Sequence, residues 1–239
     1  SYFVRFWVNR YRAINSDSYG HILFAKSLNP KKYFNFFGPI KLNIVGSTNL
    51  LNPYLWNKLI SFIPVKHLIN YNKYFNILLD SIFISSIFIV LVKLDILSEN
   101  CSLIACLIYS LSLINFSNIS IGPRVSAFTP RVFSEILVNI FCIIFVLNID
   151  SFSTYIYISL TLLSYLIFIS SKFGSQFIIL FSILFSCLNL SYVLLIPITG
   201  GLVLCLVIHN KYFIKYLVFY YNFQKYYITN VLNKKIFTH

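Results

Sequence analysis

The residues best suited to chemistry lie in the polar stretch from Asn15 to Lys32, within an otherwise apolar sequence. Asp17 carries the only carboxylate among the first 79 residues, whose other ionisable side chains are mainly basic. If a helix begins here, Asp17 and His21 lie one turn apart on one face, and Tyr19 and Lys26 lie near the edges of that face. A lone carboxylate in basic surroundings is a candidate general base.

A second group of candidate residues occupies the loop at 118 to 131, which contains Arg124 and Arg131, each directly after a proline. Proline fixes the local backbone, so this loop is predicted to be extended. Two guanidinium groups at a membrane surface suit a phosphate or diphosphate, which arginine binds through parallel hydrogen bonds. Glu135 lies four residues after Arg131 and is predicted to form a structural pair with it.

Each group also has a simpler alternative role. Asp17 could be only a helix cap and His21 an interfacial side chain, since Asp is a common cap. Arg124 and Arg131 could be ordinary anchors at the ends of membrane spans. Four further charged residues near span ends are predicted to be solvated: Asp80, Lys93, Asp95 and Asp150.

Composition predicts that the elements positioning these residues are membrane helices. The chain has 239 residues, of which 58% are hydrophobic and only 10% charged, and its mean hydropathy is +0.78. A soluble domain carries a much larger charged share. We therefore predict an all-α, polytopic helical membrane protein, with 1–239 as a single membrane domain. Because the chain contains no Met, we expect a fragment whose first span is missing or truncated.

The charge balance and the cysteines narrow the choice of partner. The formal net charge is +13, from 19 Lys and Arg against 6 Asp and Glu. The membrane character favours anionic lipid or a phosphorylated substrate over nucleic acid. The five cysteines lie in apolar runs without metal-ligand spacing, so they are predicted to be small buried hydrophobic residues.

The chain divides into three predicted regions. Residues 10–75 contain no run of about 20 apolar residues, so they are predicted to form an extramembrane loop with short interfacial helices. In the second of these helices, Trp56 is expected in the head-group layer. Residues 76–209 are predicted to form about five or six transmembrane helices, and residues 210–239 a basic, aromatic interfacial tail.

The predicted orientation is left open. The loops at 118 to 131, 171 to 175 and 209 to 215 would share one side of the membrane with the long extramembrane loop, and together they hold most of the Lys and Arg. The positive-inside rule places that side in the cytoplasm. The rule does not apply if these basic residues form an anion-binding site.

Three segments resemble the GT-C class of multi-spanning glycosyltransferases, which includes protein mannosyltransferases and aminoarabinose transferases. S-D-S-Y-G-H-I-L-F-A-K-S-L resembles the acidic stretch of their first long loop, with Asp17 matching the catalytic acid and His21 a polar residue that often follows. L-N-P-Y-L-W-N-K-L resembles a later helix of that loop. G-P-R-V-S-A-F-T-P-R-V-F-S-E is similar to a Pro-Arg loop of some members. The paired acids of many members are reduced here to Asp17.

The resemblance implies an enzyme that moves a sugar from a polyprenyl-phosphate donor to an acceptor hydroxyl on a lipid or cell-envelope glycan at the membrane surface. Asp17 would be the base, or would hold a divalent metal with His21, and Arg124 and Arg131 would bind the departing phosphate. The expected location is the plasma (inner) membrane, with a multi-pass topology. Two alternatives stay open: a transporter or flippase of an anionic lipid-linked substrate, for which only Pro197 with Gly200-Gly201 suggests a broken span, and a non-catalytic membrane subunit.

Overall fold

The computed structural model describes residues 16–27, 40–41, 49–50, 55–111, 130–148, 153–189, 192–226 and 228–229. It shows an all-α helical membrane protein, as predicted, with one minimal strand pair in which Ile40 lies opposite Leu50. The elements in chain order are α1 Ser16–Ser27, β1 Ile40–Lys41, β2 Asn49–Leu50, α2 Leu55–Ile60, α3 Val65–Lys93, α4 Glu99–Leu111, α5 Pro130–Leu147, α6 Thr154–Ser170, α7 Lys172–Asn189 and α8 Leu195–Tyr226.

Within the described ranges, three helical segments have the length and apolar composition needed to cross a membrane. They are Tyr74–Lys93 within α3, the whole of α5, and α8. Helices α4, α6 and α7 are also apolar but shorter. The 13 described residues of α4 rise about 20 Å. Six helices of different lengths, α3 to α8, thus lie in or overlap the region 76–209 that was predicted to hold the membrane spans.

A tight turn joins α3 to α4. Asp95 adopts a positive φ of 50°, and its amide donates to the carbonyl of Val92 at 3.2 Å, which is a common way to end a helix. The hydroxyl of Ser98 then accepts from the amide of Cys101 at 3.4 Å and caps α4. Lys93 and Asp95 are exposed, as predicted, whereas Asp150 lies outside the described residues.

Helices α6 and α8 make the most extensive contact in the structure, and glycines bring their backbones together. A Cβ atom built on Gly201 would lie 2.6 Å from Cβ of Ser164 and 2.9 Å from the backbone nitrogen of Tyr165. A Cβ on Gly200 would lie 2.9 Å from Thr161 Cγ2. Small residues at a helix interface allow this approach in a membrane. These glycines therefore serve packing, and α8 is not broken there.

The break in α8 occurs further along. Asn210 has φ 39° and ψ −123°, which divides the helix at a kink. Asn tolerates positive φ better than most residues. The kink falls at the predicted boundary between the membrane spans and the tail.

The main core is formed by inward faces of α5 to α8. Phe145 of α5 packs edge-on against Phe185 of α7, with ring centroids 4.8 Å apart. Cys205 is buried, but Cys101 and Cys187 are exposed, so the prediction that all five cysteines are buried is wrong. The most deeply buried members of the core are Phe141, Phe145, Leu160, Ile167, Ile169, Ile178, Leu194, Cys205 and Phe213.

We expect Gly201→Ala to destabilise the protein by about 1–3 kcal/mol, because the new methyl group would meet the backbone of α6. The matched control is Gly20→Ala on α1, where a Cβ would meet nothing within 4 Å and the helix propensity of Ala would add up to about 1 kcal/mol of stability. Denaturant unfolding in detergent micelles measures both. Equal unfolding midpoints for the two variants would contradict the close contact of α6 and α8.

Candidate functional site

The N-terminal candidate residues lie on α1, Ser16–Ser27. Asp17 therefore lies four residues, about one turn, before His21. The side chains of Asp17 and Tyr19 lie outside the described part of the chain, so their roles remain predictions. Lys26, in the last turn of α1, is exposed, and its proposed contact with substrate also remains a prediction.

His21 links α1 to α2. Its Nδ1 lies 2.9 Å from Oδ1 of Asn57, and Asn57 is only 3% exposed. Because an amide oxygen can only accept, this contact places the proton on Nδ1 and leaves Nε2 of the neutral ring as an acceptor. The hydrogen bond thus orients the imidazole of a predicted site residue.

A buried aromatic contact links α2 to α5. Trp56 is 3% exposed, and its ring centroid lies 5.5 Å from that of Phe133. Trp56 is therefore covered by α1 and α3, and its predicted depth in the head-group layer stays a prediction. The side chains that share its cluster are Ile22, Ala25, Ile60 and Leu68.

Arg131 lies at the start of α5, two residues before Phe133. Its Cζ is 4.1 Å from the ring centroid of Phe173, and Nζ of Lys172 is 5.5 Å from the same centroid. Burial lowers the pKa of Lys172, which precedes the apolar run of α7, and the charge of Arg131 lowers it further. Arg124, the other predicted phosphate ligand, lies outside the described residues.

Glu135 lies one turn after Arg131 on α5. Its Oε1 accepts a hydrogen bond from the hydroxyl of Tyr109 on α4 at 3.2 Å. The predicted pairing of Glu135 with Arg131 stays a prediction. The tyrosine contact shows how a carboxylate inside an apolar helix is accommodated between two helices.

The burial of Asp80 contradicts the prediction that its carboxylate is solvated. It is 2% exposed, although a solvated carboxylate was expected. One turn earlier on α3, Asn76 is 1% exposed, and Ile77 packs with Val132 of α5. Asp80 therefore lies on the face of α3 that is covered by protein, and its position near the end of the apolar run misled the prediction.

Sequence reasoning also missed a polar contact between α6 and α8. Nε2 of His209 lies 3.0 Å from the hydroxyl of Tyr165, and the two rings stack with centroids 5.9 Å apart. His209 is 1% exposed and directly precedes the kink at Asn210. The signal in the sequence was a lone His at the end of an apolar run, which was interpreted as loop.

The described residues contain no group of three or more His, Cys, Asp or Glu side chains that could hold a metal ion. The predicted pair of Asp17 and His21 depends on a side chain outside that part of the chain. A metal at this pair therefore stays a prediction.

Comparison with known proteins finds no match for this chain among protein families, curated proteins or solved structures. Residues of four helices come together at one end of the helical domain. That end combines α1, α2 and the first turns of α5 and α7 through the contacts of His21, Trp56 and Arg131.

We expect the hydrogen bond between His21 and Asn57 to contribute about 0.5–1.5 kcal/mol to stability. A double-mutant cycle of His21→Ala and Asn57→Ala, followed by denaturant unfolding in micelles, isolates that coupling energy. Lys26→Ala, on the exposed side of α1, is the matched control and should show no coupling to Asn57→Ala. Additive effects of His21→Ala and Asn57→Ala would contradict the contact.

Lys58 should make the free energy of unfolding depend on pH in the alkaline range. Burial lowers its pKa from the ordinary value of 10.5, so between the two pKa values the unfolded chain binds more protons than the folded one. The free energy of unfolding should therefore rise with pH up to about 10.5.

Removing the charge should abolish this contribution. Lys58→Met is expected to unfold at higher denaturant concentration near neutral pH and to lose part of the alkaline rise. Lys66→Met, at an exposed position on α3, should keep the wild-type profile. If the free energy of unfolding changed with pH by the same amount in wild type and Lys58→Met, Lys58 would not be desolvated.

Proposed function

We propose that this protein is a glycosyltransferase that moves a sugar from a polyprenyl-phosphate donor to an acceptor hydroxyl on a lipid or glycan, at the surface of the plasma membrane and as a multi-pass protein. One observation carries the proposal. The helix that contains Asp17 and His21 is fixed, through Asn57 and Trp56 of α2, to the end of α5 that carries Arg131. A candidate base and a candidate phosphate ligand thus belong to one connected group of elements.

The proposed reaction is a single displacement. The acceptor oxygen attacks the anomeric carbon of the donor sugar, and the bond from that carbon to the phosphate oxygen breaks with inversion. The electron pair leaves with the lipid phosphate, and the acceptor proton passes to the carboxylate of Asp17. Arg131, with Arg124, would stabilise the negative charge that grows on the departing phosphate.

The other predicted residues have positioning roles in this scheme. His21, held by Asn57, would orient the acceptor through Nε2. Tyr19 and Lys26 would contact the sugar or phosphate from the same helix. The apolar helices suit the polyprenyl chain, which needs a nonpolar surface.

A transporter or flippase is the second candidate function, and one observation favours it. Helix α8 is long enough to cross a membrane, yet it is broken at Asn210 beside the buried His209. Broken spans with polar residues are typical of transporters. The protein then would move an anionic lipid-linked substrate without transferring its sugar.

Transfer of labelled sugar from polyprenyl-phosphate donors to membrane acceptors tests the proposal. We expect Asp17→Asn to lower the rate by about 10²–10⁴-fold through loss of the base, and Arg131→Ala to lower it through loss of charge stabilisation. Asp95→Asn, which removes an exposed carboxylate in the turn between α3 and α4, is the matched control and should retain wild-type transfer.

Wild-type rates in a folded Asp17→Asn protein would leave Asp17 as a helix cap and reject its role as base. Absence of transfer from every donor, combined with movement of labelled lipid-linked sugar between leaflets, would establish the transporter instead. If neither activity is found, the remaining assignment is a non-catalytic membrane subunit.

A further inference from the structure

The first turns of α5 and α7 lie side by side. Arg131, the second residue of α5, contacts Phe173, the second residue of α7, at 4.1 Å. At the next residue of α7, a Cβ atom on Gly174 would collide with the hydroxyl oxygen of Ser134, which lies three residues after Arg131 on α5. Two points of contact thus bring the N-terminal ends of two 18-residue helices together.

This arrangement concentrates positive charge. Each helix N-terminus carries roughly half a positive charge from its unpaired amides. Arg131 and Lys172 add two full positive charges, and both charged groups lie near the ring of Phe173.

A buried hydroxyl lies at the same place. Ser134 is 2% exposed, and within the described part of the chain its Oγ has no hydrogen-bond partner. It is directed at Gly174, the third residue of α7. A buried hydroxyl normally finds a partner, and one directed at a helix N-terminus can donate to an anion held there.

Two neighbouring groups already have partners and limit the site. The amide of Phe173 donates to Oγ of Ser171 at 3.2 Å. Oε1 of Glu135, one turn beyond Arg131, accepts from Tyr109. Arg131, Lys172, Ser134 and the first turn of α7 lie together at the junction.

We propose that the junction of the α5 and α7 N-termini, with Arg131, Lys172 and Ser134, is a binding site for the phosphate group of a lipid. Two cations, two helix N-termini and a buried hydroxyl suit the anionic oxygens of a lipid-linked phosphate, both in the donor diester and in the monoester that the transfer releases. Its position at the start of apolar helices favours a phosphate that is attached to a hydrocarbon chain. The proposal deepens the proposed function and rests on it for the identity of the lipid. It keeps Arg131, a phosphate ligand predicted from the sequence, and adds Lys172 and Ser134, which the sequence did not select.

Binding to the full chain in lipid nanodiscs tests the site. The probes are polyprenyl monophosphate, the polyprenol without its phosphate, and inorganic phosphate. We expect the polyprenyl phosphate to bind at least about tenfold more tightly than the polyprenol, since hydrogen bonds to charged groups are strong. The affinity should fall as salt is added.

Substitutions locate the site. Lys172→Gln should weaken binding of polyprenyl phosphate about tenfold, whereas Lys172→Arg should restore most of it. Ser134→Ala should weaken binding by a smaller factor and guards against a folding defect in the lysine variant. The matched control is Lys211→Gln, because Lys211 also lies beside an aromatic ring, 5.6 Å from Tyr212, but away from the junction; it should bind as wild type does.

Three outcomes would overturn the proposal. Equal affinity of wild type, Lys172→Gln and Ser134→Ala would remove the junction as the site. Equal binding of polyprenol and polyprenyl phosphate would remove the phosphate as the ligand. Displacement of the lipid by inorganic phosphate of similar affinity would assign the junction to free phosphate.

Sugar transfer measured on the same preparations separates the two proposals. Binding that depends on Lys172, without transfer from any donor, would keep the phosphate site and reject the glycosyltransferase. Transfer with an unchanged donor KM in Lys172→Gln would keep the glycosyltransferase and reject the site.

Discussion

The rest of the structure depends on the close approach of α6 and α8 at Gly200 and Gly201. Within a membrane the hydrophobic effect does not drive helices together, so association depends on packing and on polar contacts between helices. The glycines remove the side chains that would separate the two backbones. Helix α6 also contacts α5, α7 and α2, so its position fixes the helices that carry Arg131 and Lys172.

The N-terminal candidate residues depend on this framework indirectly. Helix α1 has only 12 residues, and an isolated helix of that length is marginal in water. Its position is set by the hydrogen bond between His21 and Asn57 and by the burial of Trp56 against Phe133. Contacts with α2, and through α2 with α5, thus set the orientation of α1, which carries Asp17 and His21.

Apolar runs of membrane length predicted the helices well, because each backbone polar group in lipid must be satisfied within its own helix. Residue roles were harder to predict. Asp80 was judged by its distance from the end of a span, whereas its burial follows from the face of α3 that it shares with Asn76. Lys172 could not be selected, because nothing in the sequence shows that α5 and α7 begin beside each other. Trp56 has the residue type of an interfacial anchor, but α1 and α3 enclose it.

The length of α6 has a consequence for the surrounding lipid. Helix α6 has 17 residues, so at 1.5 Å per residue it is shorter than a typical hydrocarbon core. A bilayer that such a helix crosses can thin to match it, at a cost of fractions of a kcal/mol per Å of mismatch. We expect the lipid beside α6 to form a thinner layer than lipid far from the protein.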